Sequence, residues 1–191
     1  MKSVLLALTA LLFFGTASFS QEVKDFRLVN VVDNQSVSLS SYPSCEGILL
    51  IFTSNNCPFD EHYRNRIIRL AEAYAGRVPV LLINAHAEPQ ESVEKMASKA
   101  KALNLTIPYL ADKEQVVSSQ LGIKKSPEAI LLQNSNGKFR VVYRGAIDDN
   151  AQVEEDVRHH YLRDAIDIML ARQTIQTPEV RPVGCNLRRK I

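Results

Sequence analysis

Cysteine is scarce in this chain: three residues, Cys45, Cys57 and Cys185, among 191. So few cannot knit a small disulfide scaffold, and an odd number leaves at least one thiol free or intermolecular if two pair. There is no CxxCH haem signature and no cysteine-histidine cluster of metal-binding spacing, so no metal is expected. His159 and His160 are adjacent and fall on different faces of a helix, which is no metal pair. Glycine patterns of the nucleotide-binding kind are missing as well, and no cofactor is expected. Asp148-Asp149-Asn150 lack the oxygen spacing that calcium needs and read as a turn.

Charge of one sign is also lacking. There are 23 lysines and arginines against 21 aspartates and glutamates, and loss of Lys2 with the leader described next leaves 22 against 21. No nucleic-acid surface is implied. The one basic run, Arg188-Arg189-Lys190, reads as a solvated tail.

Long apolar runs are limited to one. Residues 4–14 carry almost no polar side chain, follow the basic head Met1-Lys2-Ser3 and precede the small residues Gly15-Thr16-Ala17-Ser18. This is the pattern of a secretory signal peptide, too short and wrongly flanked for a membrane anchor. Residues 1–20 are therefore expected to be cleaved near Ser20 and the protein to be periplasmic or secreted. The processed chain, about 171 residues, is one domain's worth and should bury roughly 70% of its unfolded surface. No stable membrane insertion is expected after processing.

What is present is a clear order of elements. Residues 22–42 hold two short edge strands around the turn-like Asp33-Asn34-Gln35. Gly47-Ile48-Leu49-Leu50-Ile51-Phe52 is apolar enough to be a central strand. Phe59, Tyr63, Ile67, Leu70, Ala71 and Tyr74 then recur at threes and fours, with Asp60, Glu61, Arg64 and Arg69 on the other sides, which predicts a helix ending near Gly76. A buried strand over 78–84 follows, then a helix marked by Val93, Met96, Ala97, Ala100 and Leu103, an extended piece at 106–110 and a short helix over 113–121. Residues 129–132 read as a strand, and Asn134-Ser135-Asn136-Gly137 leads into a hairpin partner at 139–143. Val153, Val157, Tyr161, Ala165, Ile168 and Met169 predict a long final helix. Residues 173–191 have no period and carry Pro178 and Pro182, so they read as a mobile tail. Parallel crossovers followed by a hairpin and a closing helix imply an α/β fold, a mixed sheet with helices on both faces.

Cys57 stands where the central strand gives way to the first long helix, with Pro58 after it. A thiol at that end meets unpaired backbone N–H groups and the positive end of the helix dipole, so its thiolate is favoured. A cysteine that merely fills apolar space is the alternative. The redox reading requires the sulfur to be exposed at the opening turn.

These residues together resemble the thioredoxin superfamily, and within it the secreted redoxin-like proteins, peroxiredoxin-like or AhpC/TSA-like. The resemblance rests on Phe26-Arg27-Leu28, Phe52-Thr53-Ser54-Asn55-Asn56-Cys57-Pro58, Gly122-Ile123-Lys124-Lys125-Ser126-Pro127, Tyr143-Arg144-Gly145-Ala146-Ile147-Asp148 and the closing Arg181-Pro182-Val183-Gly184-Cys185. It implies a thioredoxin-like fold over residues 21–172, with an N-terminal edge-strand extension and a C-terminal tail over 173–191. Cys57 is then the nucleophile. Asp60 stands where the second cysteine of a CxxC pair would be, so no local disulfide can form. Its carboxylate opposes a thiolate by like charge yet complements the helix dipole.

The resemblance further implies a cis Pro127, with the Ser126 backbone against the Cys57 sulfur and able to dock an extended substrate. Asn56 and Pro58 join Ser126 as substrate contacts. Pro58 and Ser54, three residues before Cys57, match peroxidatic sites, in which a hydroxyl and a guanidinium polarise the peroxide on the way to a sulfenic acid. Arg64, Arg66 and Arg144 are the arginine candidates, and Leu50 stands where such sites have proline. Cys185 is the favoured resolving thiol and Cys45 the other, while a static Cys45–Cys185 disulfide pinning the tail stays open. His62 and His86 are placed where either could border the cleft, with a polar surface histidine as the default reading. The expected function is an exported thiol-dependent oxidoreductase acting on protein disulfides or peroxides, supplied by an unidentified electron donor. A non-catalytic peptide-binding or adaptor module is the second reading.

Overall fold

The computed structural model describes residues 22–190, and the expected signal peptide, residues 1–20, lies outside the described residues. In chain order the elements are β1 (Glu22–Val23), β2 (Arg27–Asn30), β3 (Ser36–Ser38), β4 (Gly47–Phe52), α1 (Pro58–Ala73), β5 (Val80–Asn84) and α2 (Val93–Ala102). Then come β6 (Tyr109–Ala111), α3 (Val116–Gln120), β7 (Lys125–Ser126), β8 (Glu128–Ser135), β9 (Lys138–Gly145), α4 (Tyr161–Leu170), β10 (Glu179–Val180) and β11 (Cys185–Asn186).

Side chains alternate across a strand, and in β4 every position is buried. Leu49 and Ile51 join one hydrophobic cluster with Tyr63 and Ile67 of α1, Met96 of α2 and Leu162, Ile166 and Met169 of α4. Ile48, Leu50 and Phe52 join another with Leu39, Phe26 and, from α3 and its exit, Val117, Leu121 and Ile123. The sheet is covered on both faces, as expected. β4 pairs parallel with β5, β5 parallel with β6, and β8 antiparallel with β4. The order is β1-β9-β8-β4-β5-β6-β2-β3, with β10 parallel along β9 and a separate ladder of β7 with β11. The hairpin turn is as read: Asn136 and Gly137 have φ 54° and 82°, and the Gly137 N–H donates to Asn134 Oδ1.

Several sequence readings are corrected. The last helix begins at Tyr161, not near Val153. The Asp149 carboxylate accepts the N–H groups of Arg158 and His159, which folds 149–160 into a loop. Val153 is exposed, and the buried helix face is Leu162, Ala165, Ile166 and Met169.

Asp60 and Arg66 are buried rather than solvated. Arg66 pairs with Asp148 at 2.7 Å, donates to the Asn150 carbonyl and lies over the Tyr63 ring. The Tyr63 hydroxyl donates to the same Asp148 at 2.9 Å. His86 is also buried, for reasons given below.

The tail lacks periodicity, yet two stretches of it pair with the domain. β10 runs along β9, with Val180 opposite Gly145. A Cβ on Gly145 would lie 1.6 Å from the Val180 carbonyl oxygen, and its φ is +122°, so glycine is needed on both counts. Main-chain pairing needs no side-chain period, which is why the pattern hid it. The basic residues after β11 are anchored too: Arg189 donates to the Ile123 carbonyl, and Lys190 pairs with Glu114.

Candidate active site

β4 ends at Phe52, and the next four residues turn the chain into α1 with Cys57 at the N-cap. Pro58 occupies the first helical position, where a missing N–H costs nothing and the fixed φ suits the helix. The helix thus starts where the sequence placed it. The expected exposure of the sulfur is not observed, since Cys57 is 5% exposed. It is bonded to Cys185, with Cα atoms 6.0 Å apart, lines an open cleft and belongs to neither hydrophobic cluster.

The loop before Cys57 is held by one carboxylate. Ser54 Oγ donates to Glu91 Oε1 at 2.6 Å and accepts the N–H groups of Asn56 and Cys57 at 3.0 and 3.2 Å. Glu91 also receives the Asn55 N–H, the Asn56 N–H and side-chain amide, and the Asn84 side-chain amide. Burial opposes the Glu91 charge, but the donors from Ser54, Asn55 and Asn84 outweigh it and hold the carboxyl below its ordinary range. Glu91 was not singled out in the sequence. It lies on a 3-10 turn over Pro89–Glu91 with no local signal of its 37-residue reach to Ser54.

Asp60, one turn into α1, has the opposite balance. Burial outweighs the opposing pull of Thr53, the Ser54 N–H, Ser126 and Lys99 and leaves it pushed up to about 7. Its Oδ2 accepts the Ser54 N–H at 3.1 Å, while Oδ1 is buried without a hydrogen-bond partner.

Across the sulfur lies the Ser126-Pro127 peptide, which is cis. The Ser126 carbonyl oxygen is 3.4 Å from Cys57 Sγ. The Ser126 hydroxyl meets His86 Nε2 at 3.0 Å, and His86 Nδ1 lies 3.5 Å from Glu88 Oε2. Burial depresses the imidazole pKa, against the pull of Glu91 and Glu88. Lys113, lowered to about 8 by burial, donates to the His86 carbonyl and to Asn84. His86 does border the cleft, one of the two placements the sequence allows, while its burial was not legible because its partner Ser126 is 40 residues away.

Cys185 is opposite Ser126 in the β7–β11 ladder. A polar open cleft of about 590 Å³ flanks the disulfide, lined by Ser54, Asn56, His86, Glu88, Glu91 and Arg188 among others. Among the sequence candidates, Cys57, Cys185, Ser54, Ser126 and Asn56 therefore converge. Pro58 is exposed beside them. Pro127 supplies the cis bond.

The three arginines are held elsewhere. Arg66 is tied to Asp148, Arg144 donates to the Leu121 carbonyl and approaches Glu128, and Arg64 pairs with Glu61. Cys45 is a free thiol, half-buried, donating to the Tyr42 carbonyl and raised in pKa by burial, so neither a Cys45–Cys185 bridge nor a Cys45–Cys57 bridge is formed.

A profile of the AhpC/TSA family matches residues 19–155. No curated protein matches the chain. Among solved structures, a hypothetical protein from Sinorhizobium meliloti 1021 is 29% identical, with TM-score 0.78, covering 91% of this chain and 95% of that one. An uncharacterized conserved protein from Geobacillus kaustophilus is 26% identical, with TM-score 0.79 and coverage of 90% and 92%. The exposed lipoprotein thioredoxin of Streptococcus pneumoniae strain TIGR4, 20% identical with TM-score 0.58 and coverage of 75% and 99%, shares the thioredoxin-like fold. With most of its length matched by that profile, the chain belongs to the AhpC/TSA family.

Proposed function

We propose that the protein is an exported thiol-disulfide oxidoreductase in which Cys57 is the nucleophile and Cys185 the resolving thiol. One observation carries the reading: a disulfide between a helix N-cap cysteine and a tail cysteine, seated against a cis-proline peptide. In the reduced protein, the Cys57 thiolate attacks one sulfur of a partner's disulfide, and the other partner sulfur leaves as a thiolate that takes up a proton. The Cys185 thiolate then attacks Cys57 Sγ, and the partner leaves as a dithiol. The protein is oxidised to the Cys57–Cys185 form, the partner is reduced, and an electron donor of the exported compartment restores the dithiol.

A peroxide substrate fits this site less well. The Ser54 hydroxyl proton is committed to Glu91 rather than to a bound oxygen, and Arg64, Arg66 and Arg144 have partners away from the sulfur. Ser126, Asn56 and Pro58 border the place where a partner chain would lie. The signal-peptide-like pattern of residues 1–20 supports a periplasmic or secreted location.

Mass spectrometry tests the reading. Treating the Cys185→Ser protein with oxidised glutathione should give a glutathione adduct on Cys57, and the parent protein should pass to the Cys57–Cys185 disulfide. No adduct and no disulfide at Cys57 would overturn it. Retention of partner binding by Cys57→Ser with no redox turnover would favour the adaptor reading instead.

A further inference from the structure

The tail does more than bring a second thiol. From Gly184 to Leu187 it lies as an added antiparallel strand on β7, with Cys185 opposite Ser126, Asn186 opposite Lys125 and the Leu187 N–H donating to the Lys124 carbonyl at 2.8 Å. Gly184 passes so close that a Cβ there would lie 2.2 Å from the Ser126 carbonyl oxygen. Three residues after the cysteine, Arg188 Nε stands 3.5 Å from Glu88 Oε1 on the cleft wall. Main-chain bonds supply the grip and selected side chains the discrimination, which is the logic of an added β-strand.

We propose, resting on the thiol-disulfide reading above, that this tail segment is an internal copy of the partner's docking segment. The partner is a protein that presents its cysteine in an extended strand, with glycine just before it and lysine or arginine three residues after it, received by Glu88. Backbone groups of residues 124–126 call for a peptide chain, which a small thiol cannot replace. Since β11 occupies β7, the partner docks once reduction of the disulfide lets the tail lift.

The test uses the full-length, reduced Cys185→Ser protein and peptides with the order of residues 181–190, their cysteine joined to thionitrobenzoate. The Cys57 thiolate attacks the peptide sulfur, a Cys57–peptide disulfide forms, and the coloured thionitrobenzoate thiolate leaves. The protein's own tail competes equally with each peptide, so rate ratios report the peptide alone. Replacing the arginine three residues after the cysteine by glutamate should slow the reaction about threefold at low salt, the scale of an exposed ion pair. At high salt that difference should shrink. Replacing the preceding glycine by valine should slow it about tenfold or more. In a Glu88→Lys background the arginine-over-glutamate preference should reverse. Equal rates for all peptides without reversal, or reaction with the mixed disulfide of glutathione and thionitrobenzoate but with no peptide, overturns the docking proposal and leaves the thiol chemistry standing. No reaction with either kind of disulfide overturns the thiol-disulfide reading itself.

Discussion

Cys185 faces Ser126 across an antiparallel ladder while bonded to Cys57, whose sulfur is 3.4 Å from the Ser126 carbonyl oxygen. One covalent bond and a two-residue ladder therefore hold the same stretch of tail. Reduction should release β11 and leave β10, which is bound to β9 by main-chain pairing and packs Val180 against the core. Hydrogen exchange read by mass spectrometry should show the amides of residues 185–187 exchanging at least tenfold faster in Cys185→Ser, with Val180 and its neighbours unchanged. Equal protection at 185–187 would show that the ladder stands without the disulfide.

Glu91 gathers donors from Ser54, Asn55, Asn56 and Asn84, and its negative charge lies across Ser54 Oγ from the Cys57 amide. A nearby anion disfavours a thiolate. In the Cys185→Ser background, Glu91→Gln should lower the titration midpoint of Cys57, read from the pH dependence of alkylation by iodoacetamide. Part of the donor set is left unpaired, so stability should fall by about 2–3 kcal/mol. An unmoved midpoint would remove Glu91 as a control on the thiolate.

Asp60 is raised from 3.8 to about 7. Between those values the folded protein keeps a proton that the unfolded chain has lost, so this group makes stability fall as pH climbs from about 4 to about 7 and level off above. Asp60→Asn should flatten that decline and gain about 1–3 kcal/mol at pH 8 relative to pH 4.5. Urea denaturation at the two pH values measures it, and parallel curves for the two proteins would contradict the buried, protonated carboxyl.

Gly145→Ala puts a methyl where the Val180 carbonyl stands and demands φ +122° of an alanine. It should cost about 2–4 kcal/mol and expose β10 to proteolysis. Thermal melting and limited digestion check both, and a wild-type digestion pattern would mean that β9 and β10 part without consequence.

The sequence by itself determined the features that arise over short chain distances. Strand periodicity marked β4, β5 and β8, and the Cys57-Pro58 junction announced the N-terminus of α1, because strand, cap and helix are written in consecutive residues. The tertiary structure alone decided what depends on long reach. Arg66 and His86 look like surface residues until Asp148 and Ser126, each brought in by another element, remove them from water. Asp149 ends a helix pattern that Val153 and Val157 seemed to extend, through bonds to amides nine and ten residues away. The tail shows the division most plainly: the resemblance carried by Gly184-Cys185 pointed to Cys185 as the partner of Cys57, but the tail's strands bind through backbone groups that every sequence carries, so no side-chain pattern revealed the ladders of β10 and β11.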